Sequence, residues 1–166
     1  MTFVNREKFE FQTISQELIL CKPRTICDER GSFQRIYERD LFECIGFEHN
    51  NLQVSLVRNK ENKVLRGLHF QNAPFGEKKL VHVVQGSIFD VVVNIQPKSP
   101  FYGDVHTFKL NAEKNEYLLV GSDFAHGYLT LQSNTIVMYV IDNQYCETAA
   151  SGINFLQSGF NIPWPI

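Results

Sequence analysis

The chain has 166 residues, 43% hydrophobic and 20% charged, with a formal net charge of −2. That is the make-up of one ordinary globular domain, residues 1–166, with a sizeable core. It offers no basic cluster for nucleic acid, no apolar run near the ~20 residues of a membrane-crossing helix, and no signal-peptide core in MTFVNREKFEF. Cys21, Cys27, Cys44 and Cys146 are scattered without a Cys-x-x-Cys spacing, which suits a reducing, cytoplasmic compartment.

Along the chain, RDLFECIG (39–46) reads as a short helix. Short runs rich in β-branched and aromatic residues follow at 52–57, 64–70, 79–84, 87–95, 105–110, 117–120, 128–131 and 135–141. Turn formers separate them: Asn72 to Gly76 with its proline, Gln85-Gly86, Pro97 to Pro100, Gly121 to Asp123, and Gln132 to Asn134. This spacing predicts an all-β antiparallel sandwich or barrel.

Alternation assigns faces. In 87–95, Phe89, Val91, Val93 and Ile95 form a wholly apolar face that is expected to sit between sheets. Ile88, Asp90, Val92 and Asn94 form a mixed face, suited to lining a ligand-holding interior. His69 shares a face with Gln71, His126 with Tyr128 and Thr130, and Val137 with Tyr139 and Ile141. These rows are candidates to converge on one cavity.

A metal is a weak reading, because β-barrel metal sites favour His-x-His and here His69-Phe70-Gln71 supplies one histidine and an amide. His82, alternating with valines, adds little. General acid–base chemistry asks for less: a histidine that titrates near neutrality, a tyrosine that donates, and a cation near a developing oxyanion. His69, Tyr139, Lys79 and Arg66 are of those types. Each also has a structural explanation, as a satisfied strand histidine or a packed phenol.

Several stretches stand in a fixed order. Asp28-x-Arg30-Gly31-x-Phe33 comes first, then Arg66-Gly67-Leu68-His69-Phe70-Gln71, Lys79-Leu80-Val81, and Gly86 with Asp90 to Val93. Ser99-Pro100 and Gly103, Phe124 to Tyr128, Tyr139 with Tyr145, and Ile162-Pro163-Trp164-Pro165 complete the series. From about residue 25 to 166 this order resembles the dTDP-4-dehydrorhamnose 3,5-epimerase family, metal-free cupins that act on nucleotide-linked 4-keto sugars. The resemblance implies a jelly-roll cupin with a few short helices, and inversion of carbon 3, carbon 5 or both of a 4-keto-6-deoxy sugar through an enolate. No metal or nicotinamide cofactor is implied. His69 would be the base and Tyr139 the opposite-face acid, with Lys79 and His126 near the keto oxygen. Arg66 would contact the diphosphate and Tyr145 would stack on the nucleotide base. Arg30, Phe33, Gln53 and Gln71 complete the substrate-binding set. A homodimer is implied, with an N-terminal arm of about residues 1–35 exchanged into the partner's site.

Period-2 reading puts Arg66 and His69 on opposite faces, so the resemblance requires a bulge at Gly67. The chain also departs from the family. Gln157 replaces the aspartate paired with the catalytic histidine, and Asn94-Ile95-Gln96 replaces an Asp-x-Arg. Arg35 and Ala150 replace glutamates near the nucleotide, which leaves dTDP, GDP and other nucleotides, and hexose and heptose, open. Two rival readings remain. One is a 3,4-ketoisomerase, a class that typically has a second histidine where this chain has Gln71; the other is a sugar-nucleotide-binding cupin that has lost catalysis.

Overall fold

The structure, a computed structural model, describes residues 3–6, 9–48, 51–155 and 159–166. In chain order the strands are β1 (Phe3–Arg6), β2 (Phe9–Ser15), β3 (Leu18–Pro23), β4 (Thr25–Asp28) and β5 (Gly31–Gln34), and then the helix α1 (Arg39–Glu43). They continue with β6 (Gln53–Asn59), β7 (Leu65–Gln71), β8 (Lys79–Gln85), β9 (Ser87–Asn94) and β10 (Val105–Asn111). The last are β11 (Tyr117–Val120), β12 (Phe124–Thr130), β13 (Thr135–Ile141) and β14 (Ala150–Gly152). Every run expected to be a strand is one. Sequence reading missed β1 to β5 and β14, started β12 four residues late at Tyr128, and gave the helix a longer span than Arg39–Glu43.

Two antiparallel sheets result. One has the order β1-β2-β3-β11-β8-β13-β6, the other β10-β9-β12-β7-β14. Their inner faces share one core, in which Leu18, Val81, Val83, Leu118 and Val137 meet Ile88, Val92, Phe124 and Tyr128. The mixed face of β9 is therefore the one between the sheets. The wholly apolar face, expected there, lies outside: Val91 and Val93 pack with Leu68 and Ala125 beneath Phe160, Ile162 and Trp164 of the C-terminal segment. Apolarity on both faces of β9 reflects two covers, a sheet on one side and that segment on the other.

The outer face of the larger sheet is covered too. Phe42 of α1 meets Phe9 and Phe11 edge-on, at centroid distances of 5.4 and 5.9 Å. His82 is on this outer face, with its ring edge-on to Tyr117 at 4.5 Å. The β4–β5 hairpin joins neither sheet, and its Ile26 and Phe33 are exposed.

The bulge required at Gly67 is present. His126 pairs with His69 and Tyr128 pairs with Arg66, so three residue steps of β7 match two of β12. Gly67 has φ of +105°, and a Cβ there would be 2.6 Å from Gly127 Cα and from the His126 carbonyl oxygen. A Cβ on Gly127 would likewise be 2.6 Å from the Arg66 carbonyl oxygen. Backbone approach this close admits only glycine on both strands.

Candidate active site

A cavity of about 380 Å³ opens between the sheets, within the usual size for a small-molecule site. From the smaller sheet, β7 contributes Arg66, His69 and Gln71 to its lining, and β12 contributes His126. Lys79 of β8 and Tyr139 and Ile141 of β13 come from the opposite sheet, and Tyr145 stands at the mouth after β13. The rows read from alternation thus converge.

His69 and His126 are register partners on β7 and β12. Lys79 pairs with Ile141, and Tyr139 with Val81, so Lys79 and Tyr139 are diagonal neighbours on one face of the β8–β13 ladder. The His126 ring reaches across to Tyr139, edge-on at a centroid distance of 6.1 Å. Acid–base types from both sheets therefore share one space.

Each side chain has a defined electrostatic setting. Withdrawal from water lowers the His69 pKa from its usual value, and repulsion from Lys79, His126 and Arg66 adds to this, with Glu77 opposing. Burial pushes the Tyr139 phenol well above its usual range, helped by Tyr128 and Asp90, so it stays a proton donor. His126 Nε2 is 2.8 Å from Asp90 Oδ2, both fully inside the sandwich. The carboxylate accepts, so Nε2 carries the hydrogen and the ring orientation is fixed. Lys79 Nζ is 2.9 Å from Glu77 Oε1.

A second chain of bonds runs from Arg66 to Tyr128. Arg66 Nε donates to Asn59 Oδ1 at 2.8 Å, and Asn59 Nδ2 donates to the Tyr128 hydroxyl at 3.2 Å. Tyr128 in turn acts on Tyr139, where it adds to the rise of the phenol pKa. Sequence reading missed Asn59 and Glu77. The available signals were a buried amide closing β6 and an acid two residues before Lys79, on its face of the chain.

Other expected residues are elsewhere. Arg30 and Phe33 line a separate surface cleft on the β4–β5 hairpin, where Arg30 Nη2 is 2.6 Å from Asp28 Oδ2. Gln53 opens β6 opposite Ile141 and is not part of the lining. Among the departures, Ala150 is at the cavity, Arg35 pairs with Glu38 at 3.4 Å, and Asn94 Oδ1 accepts the Gln96 backbone N–H at 3.1 Å. Gln157 lies outside the described residues. Among the described residues, no three His, Cys, Asp or Glu side chains gather as a metal ion would need.

Comparison with known proteins decides the family. The model of the dTDP-4-dehydrorhamnose 3,5-epimerase family matches residues 12–166. The chain belongs to this family. It is 35% identical over 165 residues to dTDP-4-dehydrorhamnose 3,5-epimerase of Methanothermobacter thermautotrophicus, covering 95% of this chain and 85% of that one. The crystal structure of the Bacillus anthracis enzyme with TDP and PPi bound superposes with a TM-score of 0.87 at 35% identity, over 94% of this chain and 91% of that one. A dTDP-6-deoxy-D-glucose-3,5-epimerase from Legionella pneumophila in complex with dTDP-4-keto-L-rhamnose gives 0.88 at 29% identity, over 95% and 84%. The fold is thus the cupin-type jelly roll shared by these enzymes, and the chain is an isomerase, an epimerase of nucleotide-linked sugars.

The charges around His69 make a prediction that needs no substrate. An NMR titration of its imidazole should give a midpoint below the ordinary ~6.5, and Lys79→Met should raise that midpoint by removing a repelling cation. A midpoint that stays put or falls in Lys79→Met would show that Lys79 does not act on the ring.

Proposed function

We propose that the protein epimerises a dTDP-linked 4-keto-6-deoxyhexose at carbon 3, carbon 5 or both, through an enolate and without metal or nicotinamide. The observation that carries this reading is that His69 and Tyr139 enter one cavity from opposing sheets. Neutral His69 takes the proton from the carbon beside the ketone. The C–H electron pair becomes the enolate double bond, and negative charge moves to the keto oxygen, which the Lys79 ammonium stabilises with His126 beside it. Tyr139 returns a proton to the opposite face, which inverts the carbon, and exchange with solvent resets both groups. Arg66, held by Asn59 through Nε alone, keeps its terminal amino groups for the diphosphate. Tyr145 stacks on the base. With Ala150 in place of a glutamate at the cavity, a panel of dTDP-, GDP- and UDP-linked substrates checks the nucleotide.

A low His69 pKa supports its role as base, since the ring is ready to accept a proton at neutral pH. Activity should accordingly persist at neutral pH and decline as pH falls through that pKa. Cys21, Cys27, Cys44 and Cys146 stand as thiols and not as disulfides, which supports a cytoplasmic location.

The assignment of base and acid separates in two variants. His69→Asn should keep its fold and nucleotide binding yet lose turnover by ~10²–10⁴-fold, the usual loss for a general base. Tyr139→Phe should still wash solvent deuterium into substrate while forming much less inverted product. Equal loss of exchange and inversion in Tyr139→Phe, followed by NMR, would remove Tyr139 as the opposite-face acid.

We also infer a homodimer in which the arm of about residues 1–35 completes the partner's site. Supporting this, the β4–β5 hairpin is outside both large sheets, with Phe33 59% exposed and Arg30 away from the cavity of its own chain. Light scattering should give twice the 19.2 kDa chain mass. A monomer at micromolar concentration would contradict the arm exchange.

A further inference from the structure

Gln71 is 5% exposed and its amide is fully occupied by the protein. Nε2 is 2.9 Å from Glu77 Oε2, 3.0 Å from the Gln144 carbonyl oxygen and 3.1 Å from the Phe75 carbonyl oxygen. Oε1 accepts the Cys146 backbone N–H at 2.7 Å. The amide has one sensible orientation, since turning it over would set Nε2 against an N–H donor and Oε1 against acceptor oxygens. Both of its hydrogens face protein acceptors, which leaves none to donate to a sugar.

The bonds to Gln144 and Cys146 grip the backbone on either side of Tyr145, whose ring is 68% exposed and has little packing of its own to hold it. Other anchors lie at the ends of that segment: Asp142 Oδ1 accepts the Lys78 N–H and Asn143 Nδ2 donates to the Gly76 carbonyl, while Asn72 Nδ2 donates to the Ala149 carbonyl. Gln71 ties its middle. Glu77, bonded to Gln71 through Oε2, holds Lys79 Nζ through Oε1 at 2.9 Å. One buried amide thus connects the aromatic side chain at the mouth to the cation inside.

We propose that Gln71 is a positioning residue that sets the Tyr145 segment and, through Glu77, the Lys79 ammonium, and does not itself bind substrate. The inference rests on the functional reading insofar as Tyr145 and Lys79 meet the nucleotide sugar. Its reach is large because misplacement by about 1 Å can cost ~10²-fold in rate.

The test has two arms, run on Gln71→Met, which keeps the side-chain length, and on Gln71→Asn, which keeps an amide but withdraws it. In the first arm iodoacetamide labels the folded full chain and peptide mapping gives the rate at each cysteine. Cys146, in the gripped segment, should react several-fold faster in both variants, with exposed Cys27 and Cys44 unchanged and buried Cys21 still protected. In the second arm, KM for the nucleotide sugar should rise about tenfold in each variant, but by less than about twofold when Tyr145→Ala is already present, because the KM effect runs through Tyr145. The part carried by Glu77 and Lys79 should lower kcat in both backgrounds. Unchanged Cys146 labelling, or the same fold-rise in KM in both backgrounds, would overturn the proposal. Inactivity of the wild type on every 4-keto nucleotide sugar would sink the functional reading, while the labelling arm would still decide whether Gln71 holds the segment.

Discussion

Close backbone approach between β7 and β12 is the constraint on which the site depends. Gly67 and Gly127 let the strands come together where any Cβ would collide, and the extra residue in β7 turns Arg66 to the same side as His69. Without that bulge, strict alternation would send one of them to the outer face, under the C-terminal segment, where a charge would be buried without a partner. With it, the smaller sheet supplies a base and a cation to the same space. Tyr139 and Lys79 need no such device, because regular alternation already points them inward from the larger sheet.

The charge balance of the cavity follows from these placements. Glu77 is committed to Lys79 and Gln71, and Asp90 to His126. What faces an incoming ligand is therefore mainly cationic and donor in character: the outer nitrogens of Arg66, the Lys79 ammonium and the phenol of Tyr139. This suits a diphosphate at the mouth and a developing oxyanion inside. Burial first and then the same cations that would stabilise an enolate hold His69 neutral, so base strength and oxyanion stabilisation are linked through the shared residues.

Much of this was legible in the sequence. Period-2 rows placed His126, Tyr139 and Ile141 inward, and the Arg66-to-Gln71 motif demanded a bulge that the glycines then supply. The apolar row of β9 was misplaced because hydrophobicity alone does not say whether a sheet or a terminal segment covers a face. The N-terminal strands escaped notice although Phe9 and Phe11 alternate, since β4 and β5 bury little and leave no apolar rhythm to read. Asn59, Glu77 and the partners of Gln71 are set by tertiary contact between residues up to 76 positions apart, which no local pattern encodes.

Central to the account is a proton that leaves to one sheet and returns from the other. Converting a dTDP-linked 4-keto-6-deoxyglucose with the wild-type protein in deuterated water, and reading the product by NMR and mass spectrometry, tests this directly. The account predicts solvent deuterium bound at each inverted carbon and at no other. Inverted product that retains the substrate's own hydrogen at those carbons would contradict it.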